Sequence, residues 1–214
     1  MSTRPDIGYI TQYLSQSNKS PTKNNWMAAK RVLRYLKAPK NLGIVYRRVA
    51  KSTEGDLGRV TPWAFCDSNY AEDPRDHRAT SGYAFMLAGG PISWKSKKQS
   101  SVALSTTEAE YYMLGITCQE DIWIKQLGQE LLASLDKSIN MYTDNMGAVT
   151  LSDNPVFHNQ SKHIDIKWHF IGDLIWSKSI RISHIPRIWN GADFLTKALN
   201  CSEHEHCLRL LGME

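Results

Sequence analysis

The sequence predicts an α/β domain: a five-stranded mixed sheet, three antiparallel strands followed by parallel ones, with helices on both faces and a helical appendage at the N-terminus. Two patterns carry this. Residues 62–66, 81–88 and 92–95 read as consecutive strands, the last two joined by the turn Gly89-Gly90-Pro91. Residues 139–143 and 180–185 are further strands, and they alternate with stretches of helical periodicity. Hairpin strands followed by strand–helix alternation imply a mixed sheet with helices on its faces. At 214 residues, 42% hydrophobic and 22% charged, the chain can bury a core without disulfide or metal staples.

The elements follow in chain order. Residues 21–37 read as an amphipathic helix, with Trp26, Ala29, Leu33 and Leu36 on one face and Lys23, Lys30, Arg34 and Lys37 on another; Pro39 and Gly43 stop it. A solvated face is the ordinary explanation of such a basic run; tracking a phosphate backbone is the functional one. The polar, glycine-containing stretch 51–61 is a linker or turn between the appendage and a domain at 62–214. After the three hairpin strands, a long helix runs from Ser105 to about Leu135, interrupted only by Gly115 and Gly128. A short helix at 146–152 follows the fourth strand and ends at Asn154-Pro155. Residues 163–177 form an amphipathic helix with Ile164, Trp168, Ile171 and Ile175 on one stripe, and residues 192–199 begin the last helix.

Composition excludes several classes. No apolar run approaches the length of a membrane span, so no membrane partner is expected. Met1-Ser-Thr-Arg-Pro-Asp6 carries no apolar signal region, which points to an intracellular site of action. Cys66, Cys118, Cys201 and Cys207 are scattered without a C-x-x-C pair, which suits a reducing compartment. A formal charge of +5 and a pI near 9.0 favour a polyanionic partner, because neutralising phosphates releases counterions.

Three aspartates sit where chemistry can be built. Asp67 follows the strand at 63–66, Asp144 follows the strand at 139–143, and Asp193 lies at the start of the last helix. Strand ends of an open sheet converge on one edge, where ligands bind. A cluster of carboxylates there is costly unless cations neutralise it. Magnesium suits that task through its hard-oxygen, octahedral demand, and two such ions about 4 Å apart could activate a water and stabilise a leaving oxygen. The plain alternative is that each aspartate caps a turn or helix. Within the long helix, Ser105-Thr-Thr-Glu108 matches a capping box, giving Glu108 a structural task. Glu110 lies about 200° round the helix from Glu108, so both cannot face one site. The cap leaves Glu110 unexplained, which favours it as the site carboxylate.

Several stretches together resemble a known family. These are Phe65-Cys-Asp-Ser-Asn-Tyr-Ala-Glu-Asp-Pro-Arg-Asp-His-Arg-Ala-Thr-Ser-Gly-Tyr83, Gly89-Gly-Pro-Ile-Ser-Trp-Lys-Ser-Lys-Lys-Gln99 and Ala103-Leu-Ser-Thr-Thr-Glu-Ala-Glu-Tyr111. Tyr142-Thr-Asp-Asn145, Lys162-His-Ile-Asp-Ile-Lys-Trp-His-Phe-Ile171 and Ala192-Asp-Phe-Leu-Thr-Lys197 complete the set. In order and spacing, residues 63–214 resemble the ribonuclease H region of copia-type LTR retrotransposon Pol polyproteins. Residues 3–49 resemble the tail of the preceding reverse transcriptase, so 1–50 is expected to be a remnant of its thumb or connection end. The resemblance implies a ribonuclease H-like fold and hydrolysis of the RNA strand of RNA–DNA hybrids. It implies a site of Asp67, Glu110, Asp144 and Asp193 holding two Mg2+, with Mn2+ able to substitute. In the implied roles Asp67 bridges both ions, Glu110 and Asp144 lie nearer the attacking water, and Asp193 holds the other ion. The implied partners are the hybrid and the remainder of the Pol polyprotein; the implied locale is a cytoplasmic virus-like particle, the nucleus, or both. Cys66 and Asn69 depart from the family's small and aromatic residues, which bears on packing. The 214 residues hold no polymerase palm and no paired polymerase aspartates, so the chain is not expected to synthesise DNA by itself, and no room between Ser152 and His163 admits an extra basic binding helix.

Lesser candidates remain. Lys95, Lys97, Lys98, Lys162, His163 and Lys167 are candidate nucleic-acid contacts, each with exposed solvation as its plain alternative. His184 could assist product release or be an inert strand histidine. Cys201, His204, His206 and Cys207 are too cramped for a usual zinc pattern, so no structural zinc is expected. Two rivals differ in prediction. An integrase or transposase core carries its glutamate last, whereas here it comes second. A silent, connection-like module that only binds nucleic acid or a polymerase would have lost carboxylates, and all four are present.

Overall fold

The computed structural model describes residues 3–37, 41–47, 61–71, 73, 75–132, 138–153 and 162–214. Its strands are β1 (Trp63–Ser68), β2 (Thr80–Leu87), β3 (Gly90–Lys98), β4 (Ile139–Thr143) and β5 (Ile180–His184), in the sheet order β3-β2-β1-β4-β5. β1 pairs antiparallel with β2, and β2 with β3; β1 and β4, then β4 and β5, run parallel. This is the three-antiparallel, two-parallel α/β arrangement that the sequence predicts.

Period-two alternation divides the strand side chains between two cores. On one face Ala64, Cys66, Tyr83, Phe85, Ile139 and Met141 pack against the helices α3 (Thr106–Leu132), α4 (Met146–Asp153) and α5 (Lys162–Trp176). On the other, Phe65, Ala84 and Met86 meet Phe194 and Leu195 of a 3-10 turn (Asp193–Leu195) and Cys207 and Leu208 of the last helix, α6 (Cys201–Leu210). Among the described residues no helix is long and apolar enough to cross a membrane.

The N-terminal segment packs on this body. A 3-10 turn (Pro5–Ile7) leads into α1 (Gly8–Ser15), which the sequence reading did not anticipate, and α2 (Lys23–Lys37) follows. A Cβ at Gly8 would lie 3.0 Å from the Leu195 side chain, so the residue's smallness lets α1 approach the Asp193 turn. Ile44 forms an antiparallel bridge with Met213. The expected linker at 51–61 lies outside the described residues except for Thr61.

Three boundaries need correction. β3 does not start at Ile92: Gly90 and Pro91, expected in the turn, pair with Leu87 and Met86, and the strand runs on to Lys98. β1 does not end at Cys66: Asp67 and Ser68 stay in the ladder opposite Gly82 and Ser81, because polar side chains ended the hydrophobic pattern and not the backbone pairing. Asp193 does not open the last long helix. It opens a single 3-10 turn, and α6 starts only at Cys201, where Asn200 and Glu203 form a reciprocal capping box.

Candidate metal centre and active site

The C-terminal ends of the two central parallel strands and the first turns of α3 make the site. Asp67 lies near the end of β1, Asp144 directly follows β4, and α3 lies across both. Asp67, Glu110 and Asp144 each offer a carboxylate oxygen, and these atoms all lie within 4.8 Å of one another. Among the described residues they are the one group of His, Cys, Asp or Glu so gathered. Asp67 and Glu110 are 3% and 4% exposed, too little for water to solvate their charge.

Glu110 is fixed by the strands it faces. Its Oε1 accepts the Ser68 amide at 3.0 Å, and its Oε2 accepts the Thr143 hydroxyl at 3.5 Å. Glu108 is half-buried at the helix start, where its Oε2 accepts the Leu104 amide at 2.7 Å and its own amide donates to Ser105 Oγ at 3.1 Å. The carboxylates thus occupy different environments two residues apart.

Asp193 stands outside the group of three but is tied to it. The Lys197 ammonium pairs with Asp193 and reaches Asp67 Oδ2 at 3.8 Å, and Arg187 Nε lies 3.5 Å from Asp193. The Thr196 hydroxyl donates to Asp67 and also lies 2.9 Å from the Asp193 carbonyl. Asn190 is wholly buried; its Nδ2 donates to the Cys66 carbonyl at 2.9 Å and lies 3.3 Å from Asp144 Oδ1. Its Oδ1 accepts the Ala192 amide at 3.1 Å, so one side chain joins β1, Asp144 and the Asp193 turn. Gln99 is buried among Ser68 Oγ, Ser81 Oγ and the Ala109 carbonyl, at 3.1, 2.9 and 2.8 Å from its Nε2, and clamps α3 to the strands. Sequence reasoning does not find Asn190, Thr196, Lys197 and Gln99 as supports; Thr196, Lys197 and Gln99 enter it only as parts of the motifs.

The electrostatics follow from this crowding. Burial pushes the Asp67 carboxyl up to about 6; Lys197 pulls against this, and Asp193 and Asp144 add to it. Burial, then Asp67 and Asp144, hold the Glu110 carboxyl well above the usual carboxylate range. Burial alone would lower Lys197, but Asp67 and Asp193 outweigh it and raise its pKa. Burial, with Glu110 beside it, keeps the Cys66 thiol protonated. Lys197 and Arg187 therefore offset only part of the charge of the four carboxylates, and the donor set is entirely hard carboxylate oxygen. Both facts fit a divalent cation of the Mg2+ or Mn2+ type. The cluster opens onto a cleft of about 670 Å³ that Asn69, Tyr70, Asn145, Met146, Arg187 and Lys197 help to line.

The other candidates are dispersed. Lys95 and Lys97 lie on the edge strand β3. Lys98 is spent on ion pairs with Asp73 and, at 2.7 Å, Asp76. The Lys167 ammonium lies 2.8 Å from the centre of the Tyr112 ring, a cation–π contact within the fold. The side chains of Lys162 and His163 lie outside the described residues. His184 ends β5 opposite Thr143. In α6, His204 contacts the Asp6 carbonyl at 3.2 Å and His206 the Ile188 carbonyl at 2.8 Å, while Cys207 is buried and Cys201 exposed.

No protein-family model matches the chain. Over 211 residues, 99% of its length, it is 39% identical to the retrovirus-related Pol polyprotein from transposon RE2 of Arabidopsis thaliana. Over 216 residues, again 99%, it is 37% identical to the retrovirus-related Pol polyprotein from transposon TNT 1-94 of Nicotiana tabacum. The chain spans only 14% and 15% of the length of these relatives. Among solved structures it resembles the N-terminal RNase H domain of a Mycobacterium tuberculosis protein, at 14% identity and a TM-score of 0.48, covering 70% of this chain and 97% of that one. The fold rests on the sheet order above and not on that likeness.

Proposed function

We propose that this chain, which belongs to the retrovirus-related Pol polyproteins of transposons, is the ribonuclease H of such a polyprotein, cutting the RNA strand of RNA–DNA hybrids during reverse transcription. The observation that carries the reading is the meeting of Asp67, Glu110 and Asp144, from three separate elements, within 4.8 Å at the carboxyl end of the central strands. Three carboxylates crowded there with one nearby lysine have little use as a purely structural feature, since burial and repulsion make the arrangement costly.

Two divalent cations at this site would supply the charge that lowers the pKa of an attacking water and stabilises a departing oxygen. The chain's own residues do the rest. Asp67, which Thr196 and Lys197 touch, would serve both cations; Glu110 and Asp144 would serve the one that activates the water, and Asp193 the other. Thr196 fixes one oxygen of Asp67, Asn190 restrains Asp144 against β1, and Lys197 holds Asp193 toward Asp67. Because these supports are largely buried, the carboxylates are held ready and little ordering remains to be done when substrate arrives. Residues 1–50 fit the role of the reverse transcriptase's tail, the remainder of the polyprotein is the natural partner, and the place of action is a cytoplasmic virus-like particle or the nucleus.

The test is the cutting of an end-labelled RNA–DNA hybrid by the purified chain. Mg2+-dependent cutting that Asp67→Asn and Glu110→Gln abolish and Glu108→Gln leaves intact supports the proposal. Cutting that survives in Asp67→Asn, or persists in EDTA, removes it.

A further inference from the structure

The charge of this chain is divided. From Ile7 to Thr53 there is no Asp or Glu and there are ten Lys and Arg. Residues 54–214 hold fifteen Lys and Arg against twenty Asp and Glu, a net −5, although the whole chain is +5. The part that carries the acidic site is thus repulsive overall to a polyanion, and two of the lysines offered for nucleic-acid contact, Lys98 and Lys167, are occupied inside the fold.

The cationic part has an ordered surface. α2 has no acidic residue in its first turn and no buried residue. Lys23, Lys30, Arg34 and Lys37 lie along it with no ion-pair partner among the described residues, and at about 100° per residue they fall within roughly 60° of arc. The stripe is roughly 21 Å long at a rise of about 1.5 Å per residue. Trp26 and Leu33, 62% and 67% exposed, flank it. The Lys30 ammonium sits 5.2 Å from the centre of the Trp26 ring, which holds that side chain along the surface.

The helix is also anchored. Tyr35 meets His204 of α6 edge-on at 6.0 Å, and lies roughly 130° round the helix from the middle of the stripe. Gln16, at the end of α1, is 3.2 Å from Lys98 Nζ and 2.8 Å from Arg75, beside the end of β3 that pairs toward Ser81 and the site. α1 itself lies on the Asp193 turn. The cations therefore project from a helix fastened to the domain and do not sit on a loose tail.

We propose that the Lys23–Lys30–Arg34–Lys37 face of α2 is the grip for the phosphate backbone of the RNA–DNA hybrid, supplying the attraction that the net-negative body lacks. This rests on the ribonuclease reading for the identity of the duplex. A nucleic-acid duplex fits because its regularly spaced phosphates match a rigid line of cations, and each neutralised phosphate releases counterions. The competing occupant of the same face is the polymerase portion of a longer polyprotein.

The test measures binding of a fluorescently end-labelled hybrid to the whole chain by anisotropy in EDTA, across a series of KCl concentrations. Lys30→Gln with Arg34→Gln is compared with Lys178→Gln and Arg181→Gln, an equal loss of charge at the opposite end of the parallel strands. The α2 pair should lower the magnitude of the log–log salt slope by about 1.8, two phosphates at about 0.9 each, and weaken binding at least tenfold near ~0.1 M KCl. The control pair should change neither. Lys23→Gln with Lys37→Gln, at the ends of the helix, must repeat the result, with circular dichroism confirming that α2 remains folded. An unchanged slope in both α2 pairs overturns the proposal and leaves the face to a protein partner; an equal loss in the control overturns it as mere net charge. A lowered slope in a chain that never cuts the hybrid upholds the grip and rejects the ribonuclease reading. Normal cutting with an unchanged slope does the reverse.

Discussion

Replacing Asp67 by Asn should stabilise the chain in the absence of metal while destroying its activity. Burial, assisted by Asp193 and Asp144, lifts this carboxyl from 3.8 to about 6 in the folded chain. A carboxyl whose folded value lies above its unfolded one contributes stability below the unfolded value and loses it as the pH rises through the folded one. Below about pH 4 the group therefore costs nothing, and above about pH 6 its ionisation costs about 3 kcal/mol, at about 1.4 kcal/mol per tenfold. The amide of the Asp67→Asn variant would avoid that cost and keep an oxygen for the Thr196 hydroxyl. The pull of Lys197 on the ionised carboxyl is already contained in the value of about 6, so nothing further is subtracted for it. The net gain near pH 7.5 is then about 3 kcal/mol, or roughly 6–12 °C in unfolding temperature for a chain of this size. Thermal unfolding in EDTA at pH 7.5 and pH 4 measures it directly. The difference should be present at pH 7.5 and absent at pH 4, and Mg2+ should raise the wild type's unfolding temperature far more than the variant's. A variant no more stable than wild type at pH 7.5, or equally stabilised at both pH values, would refute the claim that this site is electrostatically crowded.

Two further substitutions probe the supports. Asn190→Ala removes a buried side chain that serves the Cys66 carbonyl, the Ala192 amide and Asp144. It should cost about 2–4 kcal/mol in urea unfolding, because two buried backbone groups lose their partner; a cost below about 1 kcal/mol would remove Asn190 from the account. Gly82→Ala places a Cβ 2.7 Å from Leu195 Cβ and 2.8 Å from Thr196 Cγ2. That overlap should destabilise by about 1–3 kcal/mol and lower the cutting rate by moving Thr196 off Asp67; a chain with unaltered stability and cutting would show that the turn has room to spare.

Some of this is legible in the sequence, and the pattern of success has a physical reason. Strand and helix identities follow from periodicity, and β4 matches its expected span because Thr143 gives way to the Asp144-Asn145 cap. Glu110 can be separated from Glu108 because capping is a local interaction, readable from Ser105-Thr-Thr-Glu108 alone. What fails depends on contacts distant along the chain. Asn190 acts on Cys66, and Thr196 on Asp67, 124 and 129 residues away. Lys98 looks free until the fold brings Asp73 and Asp76 to it. α1 escapes notice because it is short, and its packing depends on Gly8 meeting Leu195. Asp193 reads wrongly as opening a helix because Asn200, the residue that caps the real one, carries its signal farther along the chain.

If acidic side chains distant in sequence meet to hold divalent cations, the bound ions should be visible among them. A crystal soaked in Mn2+ and measured at the manganese absorption edge tests this directly. An anomalous peak is expected among the Asp67, Glu110 and Asp144 carboxylates, lost in crystals of Asp67→Asn. A featureless map at those three residues, with manganese bound elsewhere or nowhere, would contradict it.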